Sequence, residues 1–399
     1  MEKMRINTKK ITILMFLLII FIYPILSLKT ARVKVSEIEN RSLSAFPKIQ
    51  KLSLFKQNFY TDIDAYLSDH LFGRGFWFKE YSRFSLNVLK KDTLQNVIVG
   101  KDGMLLRYYE REDLNSEKDH VKAEVEASAK VINNLGTYLN SKGKTFYFVG
   151  VPYHSTNFEA KYPIKYYNRS DKRQFKENLL FSSILPSVGK IDLNEVFARY
   201  GNDRYDFYYK TDHHWNIKGS YAAYTEILNK IRDSHPEIRP PYKMDELNVR
   251  LISNKFEGSF GRELNYVYKT DDKAEIYEPK EGLPQFTRYV NGEIDNNVIK
   301  ICSNYGVFMG GDIGEMLIQT NRANLPNILI VGNSYTNSLE YLLFPHFNET
   351  RSLDYRHFDK MGLQQYIDTH DVDVVLYVMD DSFYDDYITM KGMAGDYGN

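Results

Sequence analysis

Cysteine is nearly absent: Cys302 is the single one in 399 residues. That excludes an intrachain disulfide framework and a cysteine-rich zinc site. Net charge is absent too, since 52 basic side chains face 52 acidic ones. A chain so balanced has no global field to draw it onto nucleic acid, and no nucleic-acid partner is expected. Proline and glycine are modest, at 12 and 23, which excludes a collagenous or linker-dominated chain. Charged residues make up 26% and apolar ones 43%, so disorder is not the main theme. The sequence shows no internal repeat and no low-complexity tract. Its length suffices for one large domain with a sizeable core, or for two smaller ones. What is plentiful is aromatic: 32 Tyr and 24 Phe bring the aromatic share to 15%. Tyrosine-rich surfaces stack on sugars, but a coding bias toward Tyr, Asn, Lys and Ile explains the same excess.

One long apolar run is present. Residues Ile11 to Leu28 carry no charge, while Lys3, Arg5, Lys9 and Lys10 precede them with only Glu2 opposing. A helix rises about 1.5 Å per residue, so the run sits near the lower limit for crossing a bilayer. The positive flank predicts a cytoplasmic tail at 1–10, a transmembrane signal anchor at 11–28 and everything beyond outside the cell. A cleavable signal peptide is the rival reading. It calls for small residues of A-x-A type at a cleavage site, and Pro24 to Lys29 offers no clean one, which favours a single-pass membrane anchor.

Residues 29–95 read as a connector followed by amphipathic helix. Phe55, Phe59, Ile63, Tyr66, Leu67 and Leu71 recur at largely helical spacing. From 96 to 399 the pattern is that of one α/β domain. Val97 to Val99, an Asp102-Gly103 turn and Met104 to Leu106 predict a hairpin. Val121, Val125, Ile132, Leu135 and Leu139 predict a helix. Thr145 to Val151, Ile328 to Val331 and Val372 to Met379 are near-continuous apolar strands, as in a parallel sheet covered on both faces. Ile191 to Leu193 predicts a further short strand, and Asn216 to Ile231 a helix. An insertion of hairpins is expected around 250–300.

Two constellations carry chemistry. Ser334 follows the strand ending at Val331 and Gly332, and opens the next helix. A hydroxyl there leaves the carboxyl edge of the sheet, beside backbone N–H groups that stabilise developing negative charge. Taken alone, the same serine reads equally as an N-cap. The second constellation is Asp212-His213-His214-Trp215. A carboxylate two residues before a histidine reaches its Nδ1–H, fixes the tautomer and stabilises the imidazolium. Alternatives are a capping Asp beside surface histidines, and a metal-dependent phosphoesterase using Asp212, His213 and His214. The metal reading lacks an HExxH motif or any second tight cluster, so no metal and no cofactor are expected. Together the two constellations supply nucleophile, base and orienting acid.

At these residues the sequence resembles a known family. Asp212-His213-His214-Trp215 is the string that names the DHHW proteins, which are similar to the alginate O-acetyltransferases of the AlgX and AlgJ type. Glu39-Asn40-Arg41-Ser42-Leu43 before Phe46-Pro47, Val99 to Gly103, and Gly332-Asn333-Ser334-Tyr335 agree. The resemblance spans about residues 36–380. It implies an α/β, SGNH-hydrolase-like (flavodoxin-like) parallel sheet flanked by helices, with the motif order permuted so that Asp and His precede Ser. It implies Ser334 as nucleophile, His214 as base and Asp212 as acid. Asn333, Tyr335, Tyr153, His154 and Trp215 are candidates for substrate binding or the oxyanion hole, although Trp215 also suits packing under the helix that follows it. The implied activity is extracytoplasmic O-acetylation of a cell-surface or exported polysaccharide, with acetyl supplied by a multi-pass membrane acyltransferase. A carbohydrate acetyl esterase with the same triad, or an anchored glycan-binding module without catalysis, are the alternatives.

Overall fold

Along three strands, successive side chains drop alternately into two separate cores. Tyr147, Val149 and Val151 enter one, and Phe146 and Phe148 the other. Ile328 and Ile330 part from Leu329 and Val331 in the same way, as do Val374, Leu376 and Val378 from Val375, Tyr377 and Met379. A period of two with both sets apolar is what a sheet covered on both faces demands.

The computed structural model describes residues 8–29, 33–36, 39, 41–48, 57–108, 114–166, 170–386, 388–389 and 392. It divides into two units, residues 1–95 with 261–269, and residues 96–260 with 270–399.

The larger unit is built on eight strands: β1 Thr145–Val151, β2 Gly189–Asp192, β3 Thr287–Val290, β4 Glu293–Ile294, β5 Glu315–Gln319, β6 Ile328–Gly332, β7 Glu349–Leu353 and β8 Val374–Asp380. Their spatial order is β4-β3-β5-β7-β6-β8-β1-β2. The five from β7 to β2 run parallel. The β5, β3 and β4 strands continue the sheet antiparallel at one edge. Helices α1 Leu114–Ser141, α2 Ser170–Ser183 and α5 Leu363–Thr369 bury Val125, Leu180 and Leu363 on one face; α3 Ile217–Arg232 and α4 Thr336–Leu343 bury Ala223, Ile227 and Leu339 on the other. The fold is therefore the expected α/β sheet flanked by helices.

Details differ from the sequence expectation. The short strand ends at Asp192, and Leu193 begins a helix that the Asp192 carboxylate caps. Within 250–300, Leu247–Ser253 pairs with Ala274–Pro279 as a separate ribbon, while Thr287–Val290 belongs to the main sheet. The expected hairpin pairs Val97–Val99 with Leu105–Arg107, and its turn places Asp102 at φ 57° and Gly103 at φ 73°. Both angles are left-handed, which suits Gly and is tolerated by Asp.

In the smaller unit, Lys9–Ser27 forms one helix of 19 residues with mean hydropathy 2.3, long and apolar enough to cross a membrane. Helix Gln57–Asp69 buries Phe59 and Tyr66, whereas Leu67 and Leu71 are exposed. Phe55, Asn40 and residues 1–7 of the expected tail lie outside the described residues. Within the Glu39–Leu43 motif, Glu39 and Arg41 make structural contacts. Arg41 Nη1 donates to Asp69 Oδ2 at 3.0 Å, Arg74 Nη2 donates to Glu39 Oε1 at 2.9 Å, and the Ser44 N–H donates to Asp69 at 2.8 Å.

Candidate active site

The segment 208–215 folds back on itself. Tyr208 and Trp215 form a bridge, the Tyr209 N–H donates to the His214 carbonyl at 3.3 Å, and the Asn216 N–H donates to the Phe207 carbonyl at 2.8 Å. Asn216 then caps α3, its carboxamide oxygen accepting from the Lys218 and Gly219 N–H groups. His214 is thus clamped between a closed loop and a helix start.

The Asp212 carboxylate turns back onto His214 twice. Oδ1 lies 2.5 Å from Nδ1 of the ring and accepts the His214 backbone N–H at 2.9 Å. Oδ2 accepts the Ser259 N–H at 2.6 Å. A third residue holds the loop itself: Asp272 accepts from the Thr211 N–H and hydroxyl at 2.8 Å each and from the Lys210 N–H at 3.0 Å. Gly258 is required for the approach, because a Cβ there would collide with the Thr211 carbonyl and Asp212 Cβ. Burial by itself would raise the Asp212 carboxyl. The His214 and His213 imidazoles and the N–H donors outweigh it and hold that carboxyl below the usual carboxylate range.

Ser334 arrives from β6. Gly332 leaves the strand where a Cβ would lie 2.6 Å from Thr336 Cγ2 and 2.7 Å from the Val378 carbonyl oxygen, so only glycine fits the bend. Helix α4 starts at Thr336, and Ser334 sits in the turn before it. The N-cap reading of Ser334 is therefore corrected. Its hydroxyl points across the carboxyl edge of the sheet, with Oγ 2.7 Å from His214 Nε2. Asp212, His214 and Ser334 form one hydrogen-bonded row. Tyr305 lies flat on the His214 ring, centroids 3.9 Å apart and planes 4° from parallel.

Around this row, Asn333 Nδ2 donates to the buried Asp380 at 2.9 Å, and its Oδ1 accepts the Tyr335 N–H at 3.1 Å. The Tyr335 hydroxyl donates to the His213 carbonyl at 2.6 Å. The Trp215 indole is fully buried and donates its one hydrogen to Ser338 Oγ at 2.9 Å. Trp215 and Tyr335 thus brace the loop and the turn against each other. Tyr153 is partly exposed and stacks on His213 at 5.9 Å. His154 is fully buried among Phe158, Tyr208 and Phe260, with Nε2 3.2 Å from the Tyr209 carbonyl oxygen; burial pushes its pKa down to about 3. A fully buried neutral ring facing a backbone carbonyl is no oxyanion donor, which corrects His154 as a candidate.

Asp212, His213 and His214 offer ligand atoms within 4.8 Å of one another. Both ring nitrogens of His214 already face protein partners, and His213 Nδ1 lies 2.8 Å from Ser259 Oγ. A metal would have to break that row.

Residues 97–290 match the family model of the SGNH hydrolase-like domain, acetyltransferase AlgX. The larger unit has an SGNH hydrolase-like fold. Among solved structures, Bacillus cereus PatB1 is 25% identical, over 72% of this chain and 96% of PatB1, with a TM-score of 0.58. The same protein carrying a sulfonyl adduct gives 23%, 72%, 94% and 0.57. A DHHW family protein from Eubacterium siraeum is 19% identical over 75% of this chain and 95% of its own, with a TM-score of 0.58. No curated protein matches the sequence. In this SGNH hydrolase-like fold, Ser259, Asp272 and Tyr305 escaped the sequence reading. Gly258-Ser259 is an ordinary turn signal, and nothing in the sequence ties it to a loop 47 residues earlier.

Proposed function

We propose that the protein is an extracytoplasmic O-acetyltransferase that modifies a cell-surface or exported polysaccharide through an acetyl-enzyme at Ser334. The observation that carries this reading is the unbroken row from Asp212 through His214 to Ser334. The AlgX acetyltransferase model that matches residues 97–290 supports acyl transfer as the chemistry.

His214 Nε2 takes the Ser334 proton as Oγ adds to an acetyl carbonyl. The tetrahedral intermediate collapses, and the donor's leaving group departs with the proton from His214. A sugar hydroxyl then gives its proton to His214 and attacks the acetyl-serine carbon. Ser334 leaves and regains its proton. Asp212 holds the ring in one orientation and balances the imidazolium in both halves. The Ser334 N–H before α4 is suited to the oxyanion. Acetyl reaches Ser334 from a multi-pass membrane acyltransferase, and the Lys9–Ser27 helix tethers the domain beside it.

Acetyl transfer from p-nitrophenyl acetate, measured with and without oligosaccharide acceptors, tests the reading. An acetylated sugar that disappears with Ser334→Ala is the expected result. Hydrolysis indifferent to every acceptor would leave an esterase, and turnover untouched by Ser334→Ala would end the serine mechanism. PatB1 is known with a sulfonyl adduct, so a sulfonyl fluoride should label Ser334 and spare the Ala variant.

A further inference from the structure

Helix Arg74–Arg83 continues through a π turn at Phe84–Val88, and its two faces are inverted. The inward face carries Ser82 and Ser85, both fully buried, and Ser82 Oγ accepts from Asn265 Nδ2 at 2.8 Å. The outward face carries Trp77, Tyr81, Phe84 and Val88, spaced by four, three and four residues and each more than half exposed. Phe76 and Leu89 flank the stripe and are exposed as well. An apolar stripe of that length turned to solvent marks a contact surface.

Three observations say what covers it. The stripe is led by Trp and Tyr, the side chains that settle where hydrocarbon meets headgroups. Exposed Lys90 and Lys91 lie just beyond it, while Arg83 pairs with Glu80 on the same helix; the two lysines suit anionic lipid. The helix also begins beside the end of the apolar segment. The Tyr23 hydroxyl donates to the Phe72 carbonyl at 2.6 Å, the Phe72 N–H donates to Ser27 Oγ at 2.9 Å, and the Tyr23 and Phe72 rings meet edge-on at 6.4 Å.

We propose that the Trp77–Val88 face lies in the headgroup region of the bilayer entered by the Lys9–Ser27 helix, with anionic phospholipid as its partner. The proposal rests on reading that helix as an anchor. An amphipathic helix held in the interface beside a single span adds a second contact and restrains the rotation of whatever follows.

The chain has two tryptophans, Trp77 half exposed and Trp215 wholly buried, so the test is spectroscopic. The full chain is reconstituted in phosphatidylcholine–phosphatidylglycerol vesicles with brominated acyl chains, and its emission is compared with that in unbrominated vesicles. A loss of emission is expected, and Trp77→Phe should abolish it. The Phe84→Asp/Val88→Asp variant, altered only at exposed positions, should still float with the vesicles and escape quenching. A chain that floats while Trp77 stays unquenched overturns the proposal and leaves the anchor standing, as a surface meant for a protein partner would. Quenching that survives the double Asp change overturns it too. A chain that does not float overturns both.

Discussion

Tyr305 and His214 lie face to face, 3.9 Å between ring centroids and 4° from parallel. The tyrosine is itself fixed, since its hydroxyl meets Ser338 Oγ at 2.9 Å, the atom that also accepts from the Trp215 indole. A ring this well backed has little room to rotate out of line with Ser334. Tyr305→Phe keeps the stack and removes one hydrogen bond, at a cost of about 0.5–1.5 kcal/mol of stability. Tyr305→Ala removes the stack and costs about 3–5 kcal/mol. The Phe variant is expected to keep most of its acetyl-ester turnover and the Ala variant to lose it well below its melting temperature. Equal kcat in the two would remove Tyr305 from the account.

His214→Ala deletes the base, and turnover of p-nitrophenyl acetate should drop by about 10²–10⁴-fold. Asp212→Asn keeps the shape but presents an amide to Nδ1, and the ring loses the partner that fixes its tautomer. If the three residues act as a unit, adding Ser334→Ala to either change should cost little more. Steady-state kinetics on the single and double variants measure this directly. Multiplying losses would mean that the residues work independently.

Much of this was legible in the sequence, and for a physical reason. Parallel strands buried on both faces are mostly near-continuous apolar runs, so β1, β6 and β8 stand out. The Asp212–Trp215 string and the Ser334 turn are local motifs whose chemistry depends on residue type and spacing. What was not legible is polar and remote. The β7 strand buries Thr350 and Ser352, the latter bonded to Glu340, so it carries no apolar signature. Asp272 and Ser259 act on the Asp212 loop through chain reversals that no short-range pattern announces. The Trp77–Val88 stripe was read only as part of a connector, because periodicity reveals that a helix has an apolar face and is silent on which way the face turns.

Asn333 links two ends of parallel strands, donating to Asp380 at the end of β8 and receiving the Tyr335 N–H beyond β6. Asn333→Ala leaves a buried carboxyl short of a donor, which costs about 1–3 kcal/mol, and frees the turn that carries Ser334. Turnover is expected to fall with KM little changed, since both side-chain bonds of Asn333 are made to the protein. Asn333→Asp places an acid against Asp380 and should be worse at neutral pH than at acid pH. A pH–rate profile identical to that of the parent would contradict the role.

Asp381 follows Asp380 and is buried, with the Thr156 hydroxyl donating to it at 2.6 Å. Burial pushes its carboxyl up to about 7, with the Asp380 charge adding to the rise and the Thr156 bond opposing it. In the unfolded chain the same group titrates near 3.8. Between those two values the folded state holds a proton that the unfolded state has released, so this group makes stability fall as pH rises, and the loss levels off above about 7. Asp381→Asn removes the ionisation and keeps an acceptor for Thr156. Thermal unfolding from pH 4 to 9 should therefore show the variant melting above the parent at pH 8, with the advantage shrinking steadily toward pH 4. A gap of constant size across that range would mean that Asp381 ionises no differently when folded.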